Sequence, residues 1–162
     1  MRAIGRVLGG LALVVGAIGI VFVVGMRTKS PPVLDTVRKT SRAMKPLALR
    51  SAGGPGSGTA VVRHVGRTTG RSFETPVAVV ATDDGFAIAL PYGSNTDWLK
   101  NVLAGGGATI VTDGATHDVH EPELLPMSAM ASTFSPADQR VFRLFNVDQC
   151  LRVRHVRRTT PT

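Results

Sequence analysis

The sequence predicts a mainly β domain of the α+β class, a small barrel with short flanking helices that follows a single N-terminal transmembrane helix. Hairpin signals at Asp83-Asp84-Gly85 and Asp113-Gly114 separate runs of strand-forming residues, which favours antiparallel neighbours over a parallel α/β sheet. The strands on either side of the first signal are almost wholly apolar, as in a closed barrel or a sheet covered on both faces. The apolar run from Val7 to Met26, roughly 20 residues, has the length of a membrane-spanning helix.

This pattern divides the chain into a membrane anchor (1–29), a basic juxtamembrane helix with a Gly-rich linker (30–58) and a barrel domain (59–162). A cleaved signal peptide is the alternative to the anchor. We favour a retained anchor because the residues after the apolar run, Gly25 to Lys29, contain no small-x-small cleavage site. Six Lys and Arg residues lie between Arg27 and Lys45, whereas two precede the run. This asymmetry predicts a single-pass protein of the cell membrane whose C-terminal domain is cytoplasmic.

The charge distribution favours a membrane surface over nucleic acid as partner. The formal net charge of the 162 residues is +8, yet residues 46–139 hold five basic and nine acidic side chains, a balance of about −4. A nucleic-acid module would carry its basic stripe on the folded domain, whereas here the excess lies at the two ends. The one cysteine, Cys150, excludes an intrachain disulfide, fits a reducing compartment and suggests a buried structural thiol.

The segment before the barrel carries a helix and a loop. Ser30-Pro31-Pro32 ends any helix that leaves the membrane. Residues 33–44 predict a short basic amphipathic helix with Val33, Val37 and Met44 on its apolar side, placed against anionic lipid or the folded domain. Residues 52–58 form a flexible Gly-rich loop, which lacks the Lys-Ser/Thr pair of a phosphate loop.

Turn and proline signals divide the rest of the barrel into strands and two short helices. Thr96 is a candidate N-cap for the first helix, which Gly105-Gly106-Gly107 ends. Ser135 caps the second helix, with Pro136 at its first position, and Pro122 and Pro126 bend the chain before it. The predicted strands are Thr59–Val65, Thr75–Thr82, Phe86–Leu90, Ala108–Thr112, Ala115–His120 and Cys150–Val156, and the first helix is Asp97–Ala104.

The turn from Gly66 to Arg71, read Gly-Arg-Thr-Thr-Gly-Arg, is the main candidate binding element. Its glycines allow a tight turn with backbone N–H groups exposed, its arginines supply forked donors and its threonines supply hydroxyls. Such a turn suits a phosphate or a carboxylate. A solvated hairpin turn with ordinary surface arginines explains the spacing equally well. It is not a phosphate loop, because three residues separate the glycines and a strand follows.

Two stretches in order resemble the deazaflavin-dependent nitroreductase family of actinobacteria. The first is the Gly66–Arg71 turn followed by Glu74-Thr75-Pro76-Val77. The second runs from Leu90 to Val102, Leu-Pro-Tyr-Gly-Ser-Asn-Thr-Asp-Trp-Leu-Lys-Asn-Val, and is followed by Gly105 to Thr109. The resemblance covers about residue 45 to the C-terminus and implies a split-barrel, flavin-reductase-like oxidoreductase.

The resemblance also implies a coenzyme, coenzyme F-420, an 8-hydroxy-5-deazaflavin with a phosphodiester and an oligoglutamate tail; FMN is the less favoured alternative. On this interpretation the turn holds the phosphate, and the strand end at Ala89 to Pro91 lies along the ring. Trp98 either packs in the core or walls the ring pocket, and Lys100 either reaches the tail or is a solvated surface lysine. The cofactor-binding residues that this implies are Arg67, Thr68, Thr69, Gly70, Arg71, Pro76, Val77, Ala89, Leu90, Pro91, Asn95, Trp98, Lys100 and Asn101.

The hydride chemistry would belong to the coenzyme, with the protein positioning the ring and excluding water. Tyr92 is the only tyrosine and lies in the loop beside the expected pocket, so it can donate a proton to a reduced substrate or simply pack there. Relatives often carry a tyrosine near the C-terminal helix, where this chain has Phe142 and Phe145 instead.

Other chemistry has less support in the sequence. His117, His120 and Glu121 lack a metal spacing, because positions 117 and 120 of a strand face opposite sides. His64 and His155 are lone strand histidines at the surface or satisfied in the core. Ser57 and Ser94 lack a nucleophile elbow.

Three functions remain open. The first is a membrane-anchored deazaflavin-dependent reductase acting on an apolar acceptor such as a quinone, an unsaturated lipid or a nitro or other xenobiotic compound. The second is a module that binds the deazaflavin or a flavin without turnover. The third is a structural lipid-binding membrane protein.

Overall fold

The computed structural model describes residues 18–156. These residues open on a helical segment, 18–27, here called α1. The other elements, in chain order, are α2 (Pro31–Ala48), β1 (Ala60–Val65), β2 (Ser72–Val77), β3 (Val80–Thr82), β4 (Gly85–Ala89), α3 (Asp97–Gly105), β5 (Gly107–Thr112), β6 (Ala115–Pro126), α4 (Met127–Met130), a 3₁₀ turn (Ala131–Thr133), α5 (Pro136–Leu144) and β7 (Gln149–His155).

The seven strands form one antiparallel sheet in the order β2-β1-β5-β6-β7-β4-β3. Strands β2 and β3 are the two edges of this sheet, yet only Ala78 and Val79 separate them in the chain. Because three residue steps span at most roughly 11 Å, Val77 and Val80 hold the two edges close together. The sheet is therefore curled into a half-closed barrel, which fits a split barrel and confirms the predicted mainly β class.

The main core fills the inner face of the curled sheet, with α3 packed against it. Its largest fully buried side chains include Ile88, Leu99, Ile110 and Leu151. Burying each of them contributes roughly 1.5–3 kcal/mol. A second, smaller cluster lies on the outer face, where Ala87 and Cys150 meet Phe134. Since successive strand residues point to opposite faces, the alternation of Phe86, Ala87 and Ile88 assigns the two clusters to two sides of β4.

The prediction of one strand from Thr75 to Thr82 is wrong. These residues form the end of β2 and the whole of β3, two strands at opposite edges of the sheet. Both parts are apolar because Val77 and Val79 pack on the main core while Val80 packs on the outer cluster. The chain leaves the edge directly after Val77, so no polar residue marks the break.

Strand β6 is longer than predicted, because it continues past His120 to Pro126. Its pairing with β7 shifts register between His120 and Glu123, and Glu121 has φ 51° there. Pro122 lies in this bulge, where a strand tolerates a missing N–H group. The proline therefore bends the strand, as predicted, without ending it.

The hairpin and helix signals are largely confirmed. Thr82 pairs with Gly85, and Thr112 pairs with Ala115, so both predicted hairpins have two-residue turns. The second turn is Asp113-Gly114 as predicted, whereas the first is Asp83-Asp84, and Gly85 already belongs to β4. Gly106 ends α3 in the left-handed conformation, and the Ser135 hydroxyl accepts the Asp138 N–H at 3.1 Å. The predicted Thr96 cap is wrong, since Thr96 occupies the N-cap position but its side chain makes no capping bond.

The residues before the barrel form two helices separated at Ser30, as the Ser-Pro-Pro signal predicts. Helix α2 buries Leu34, whereas the predicted apolar residue Met44 is 51% exposed. Residues 52–58 form the predicted loop, which Asp113 anchors by accepting the Gly56 N–H at 2.8 Å. Within residues 18–156, no helix is long and apolar enough to cross a membrane. Most of the predicted span, residues 7–17, lies outside the described residues.

Candidate functional site

The Gly66–Arg71 turn connects β1 to β2, with Val65 paired to Ser72 at its base. Its backbone is closed by two hydrogen bonds of 2.8 Å, from the Gly66 N–H to the Arg71 carbonyl and from the Gly70 N–H to the Gly66 carbonyl. The Arg71 N–H donates to the Thr69 hydroxyl at 3.4 Å. Gly70 has φ 65°, which favours glycine. The predicted cradle of exposed N–H groups is therefore largely wrong, because most of these groups already donate within the protein.

Arg67 joins this turn to the first turns of α3. Its backbone N–H and its Nη1 both donate to Asn101 Oδ1, at 3.2 and 2.8 Å. Its Nη2 donates to Asp97 Oδ1 at 3.3 Å, and Nη1 also approaches the Asp97 carbonyl at 3.4 Å. Helix α3 also carries Trp98 and Lys100. The structure thus brings together one arginine of the first resembling stretch and two polar residues of the second.

Behind Arg67, a buried polar relay runs through Asn101 and His64 to Thr75. Asn101 Nδ2 lies 3.2 Å from His64 Nδ1, and His64 Nε2 lies 3.2 Å from the Thr75 hydroxyl. Asn101 Oδ1 accepts two bonds from Arg67, so the amide nitrogen must face the histidine as a donor. His64 Nδ1 is then an acceptor, and the proton of the neutral ring is on Nε2, directed at Thr75.

The surroundings of His64 favour this neutral form. Burial, and next the positive charge of Lys45, lower the pKa of His64 below its ordinary value. Protonation would also turn Nδ1 into a donor facing the Asn101 amide N–H. The ring stacks on Phe73 with centroids 5.9 Å apart. His64 is therefore one of the satisfied core histidines that the sequence allows.

The strand end expected to lie along a ring has its backbone groups occupied. The Leu90 N–H donates to the Gln149 carbonyl at 3.1 Å, and the Leu90 carbonyl accepts the Gly93 N–H at 2.9 Å. The Pro91 carbonyl accepts Lys29 Nζ at 3.2 Å. This carbonyl has a second lone pair, so a ligand that bonds to it would share it with Lys29 or displace the lysine.

The side chains predicted near the ring lie on two different faces. Leu90 is buried in the main core, where Val77 and Trp98 also pack. Ala89 instead packs on the outer cluster with Cys150 and Phe134. Pro76 lies on edge strand β2 opposite Val61. Ala89 can therefore take part in a pocket with Leu90 only through its backbone.

The remaining predicted residues are at the surface. Thr68, Arg71, Asn95 and Lys100 are exposed, and among residues 18–156 neither Arg71 nor Lys100 forms an ion pair. Tyr92 is half-buried in the loop before α3.

A groove of about 740 Å³ lies along the base of the same hairpin, between α2 and strands β1 and β2. Val65 and Ser72, which flank the candidate turn, are part of its wall, and so is His64. Phe73, 41% exposed, offers an aromatic surface there. None of the predicted site residues lines this groove. A second cavity of about 610 Å³ lies on the other side of the domain, between α1, α4 and α5.

Sequence reasoning missed the roles of Asp97, His64 and Thr75. Asp97 was assigned only to the first turn of a helix. In a strand, His64 shares a face with Ala60 and Val62, so the apolar residues at these two positions could have placed the histidine on the inner face. The structure buries all three residues. Nothing in the sequence pairs it with Asn101.

The histidines near the barrel end form an aromatic group. His117 and His155 lie with ring centroids 5.3 Å apart and both meet the edge of Phe86. His120 Nε2 contacts the His155 carbonyl at 3.1 Å. Across residues 18–156, no three His, Cys, Asp or Glu side chains converge as a metal site.

Comparisons with known proteins give distant similarities to solved structures, two of which are described here, and no family. No protein-family model and no curated protein matches the chain. The heme storage protein HutZ of Vibrio cholerae is similar over 62% of this chain and 82% of its own, with a TM-score of 0.44 and 12% identity. Atu2129 of Agrobacterium tumefaciens, a protein of unknown function, is similar over 61% of this chain and 48% of its own, with a TM-score of 0.44 and 13% identity. The chain thus spans about half of Atu2129. Similarities this weak carry no argument about function.

Proposed function

We propose that the protein is a membrane-anchored oxidoreductase that uses coenzyme F-420 to transfer hydride to or from an apolar molecule, such as a quinone, an unsaturated lipid or a nitro or other xenobiotic compound. In this proposal the barrel faces the cytoplasm and belongs to the deazaflavin-dependent nitroreductase family. The anchor would concentrate the enzyme where apolar substrates dissolve.

One observation carries the proposal: the two stretches that resemble this family contact each other through Arg67. The Arg67 guanidinium bonds to Asn101 at 2.8 Å and to Asp97 at 3.3 Å, across 30 or more residues of chain. A solvated hairpin turn would have no reason to dock on this helix. A phosphate-binding turn would dock there, because the contact fixes the position of Arg67 relative to the ring-binding residues.

The charges beside this contact suit a ligand with several negative charges. In the Arg67–Asp97 pair the aspartate side chain is 74% exposed and the arginine side chain 35%, and an ion pair with one partner this exposed is weak. A phosphodiester can therefore take the place of the Asp97 carboxylate on Nη2 while Asn101 keeps Nη1 oriented. Arg71 and Lys100 add two exposed cations for the carboxylates of the tail.

The residues fit the anionic end of the coenzyme better than its ring. When bound, the deazaflavin would supply the hydride chemistry. The protein's own part is to hold the phosphodiester at Arg67 and Arg71 and to pack Trp98 against the ring. Tyr92 is placed in the adjoining loop to hold a proton for the substrate. The Pro91 carbonyl would be shared with Lys29 or freed by its displacement.

Titration of the full-length protein in lipid nanodiscs with oxidised F-420 and with FMN tests the proposal. We expect F-420 to bind and FMN to bind more weakly. Arg67→Ala and Arg71→Ala should each weaken F-420 binding by roughly 10- to 100-fold, which is the change in affinity expected when one charge-assisted hydrogen bond is lost. The matched control is Arg50→Ala, which removes an equal charge from an exposed loop residue. Equal affinity in all four proteins would contradict the phosphate-binding role.

A binding module without turnover is the second candidate, favoured by the packing of the C-terminal helix region. Phe142 and Phe145, in the region where relatives often carry a tyrosine, pack on Phe134 and Phe22. Mixing reduced F-420 with quinone, unsaturated lipid and nitroaromatic acceptors separates the candidates. Acceptor-dependent oxidation supports the enzyme, and binding without oxidation supports the module.

A further inference from the structure

Helix α5 and the end of α1 together present an apolar surface to solvent. On α5, Val141 and Leu144 are each 48% exposed. On α1, Ile18, Ile20 and Val21 are each more than 60% exposed. Isolated surface apolar residues need no explanation, but these side chains belong to two helices that contact each other, which makes the surface a candidate for an interaction.

Two contacts fix the C-terminal end of α5 against α1. The rings of Phe22 and Phe145 meet edge to face with centroids 6.1 Å apart. Arg27 Nη1 donates to the Arg143 carbonyl at 2.9 Å and to the Leu144 carbonyl at 3.4 Å. These are terminal carbonyls of α5, where a cation is favourable. Phe22 and Arg27 are about 7.5 Å apart along a helix, so the contacts hold the C-terminal end of α5 against the last turns of α1.

The two sides of α5 have different partners. Phe142 faces the domain, where its ring meets Phe134 at 5.1 Å. Val141 and Leu144, three residues apart, share another face, on which each is about half exposed. Arg140 and Arg143 flank this face and are exposed. An apolar stripe with basic neighbours is typical of a helix that lies in the interface of an anionic bilayer.

The sequence favours lipid as the occupant of this surface. The apolar run from Val7 to Met26 leads into α1 and stops at Arg27, the residue bonded to α5. A bilayer that accommodates this run places Arg27 at its headgroups and α5 beside them. The basic residues 27, 140 and 143 would then lie among anionic lipids.

We propose that α5 is a second membrane contact, with Val141 and Leu144 inserted among the acyl chains and Arg140 and Arg143 at the headgroups. The barrel then rests on the membrane in one orientation instead of swinging on a tether. This inference rests on the anchoring in the proposed function and is independent of its redox chemistry.

Nitroxide labels on the full-length protein in phosphatidylcholine–phosphatidylglycerol vesicles test this contact. Cysteines are introduced singly as Val141→Cys, Leu144→Cys and, as the control on an exposed strand, Thr116→Cys. The native Cys150 is fully buried and burial raises its pKa, so it should not take the label. Flotation first establishes that each protein is bound to the vesicles. Power-saturation EPR then compares relaxation of each label by oxygen, which concentrates in lipid, and by a polar nickel chelate.

We expect the labels at 141 and 144 to have a higher ratio of oxygen to nickel relaxation than the label at 116. Equal ratios in a vesicle-bound protein would overturn the inference while leaving the anchor intact. Labels shielded from both reagents would also overturn it, because they would show a protein partner such as a second copy. A protein that does not float with the vesicles would contradict both the anchor and the α5 contact. Absence of F-420 binding in the titration would contradict only the proposed redox function.

Discussion

Replacing Asn101 by leucine tests whether the buried relay stabilises the candidate site. Asn101 is 6% exposed and connects Arg67 to His64 by three hydrogen bonds. Leucine has a similar volume, so the loss should come from the polar groups. Arg67 can turn to solvent, but His64 Nδ1 would remain buried without a donor, which costs about 1–3 kcal/mol in addition to the lost bonds. We expect the free energy of unfolding to fall by about 2–4 kcal/mol.

Denaturant unfolding of the full-length protein in detergent, followed by circular dichroism, measures this loss. Asn95→Leu is the matched control, because Asn95 is exposed and changes there should stay within about 0.5 kcal/mol. Adding His64→Phe to Asn101→Leu should recover part of the loss, since the unpaired nitrogen disappears. If Asn101→Leu were as stable as Asn95→Leu, the hydrogen bonds of the relay would not stabilise the protein, and our interpretation of the buried relay would be wrong.

Three further predictions concern titration, strand packing and the thiol. Because the pKa of His64 in the folded protein lies below 6.5, the unfolded chain binds the proton first as the pH falls. The free energy of unfolding should therefore fall as the pH drops below about 6.5, and denaturation curves of His64→Phe should lack this dependence. Gly85→Ala would press a methyl group into the backbone of Val153 and should prevent stable β4–β7 pairing, whereas Gly105→Ala, with open space, should raise the melting temperature slightly. Cys150 should react with a thiol reagent only after denaturation, and rapid reaction of the native protein would contradict its burial.

The local parts of the fold were predictable from the sequence. Asp113 and Gly114 form the expected hairpin turn with φ 51° and 77°. Only a few residue types tolerate such angles, so an Asp-Gly pair between two strands predicts this turn. Gly106 and Ser135 end and begin helices for similarly local reasons. The break at Ala78 and Val79 was not predictable, because the residues on both sides are apolar and face two different cores.

The candidate site was predictable only in its components. The turn itself indicated Arg67 and Arg71, and the resemblance implied Asn101, but the contact between Arg67 and Asn101 spans 34 residues of chain. His64 is 37 residues from Asn101, and a lone strand histidine carries no sign of its partner. Such pairings depend on how β1 and α3 pack, which single-sequence patterns do not specify. The same holds for Lys29, whose bond to the Pro91 carbonyl joins the segment after α1 to the predicted ring site.

The central claim is that Arg67 and Arg71 hold the anionic part of a deazaflavin coenzyme. Calorimetric titration with F-420 and with its ring-and-ribitol fragment, which lacks the phosphodiester and the glutamates, tests this most directly. We predict that the wild-type protein binds F-420 at least about tenfold more tightly than the fragment, and that Arg67→Ala with Arg71→Ala removes this preference. Equal affinity of the wild-type protein for both ligands, or an unchanged preference in the double variant, would contradict the account.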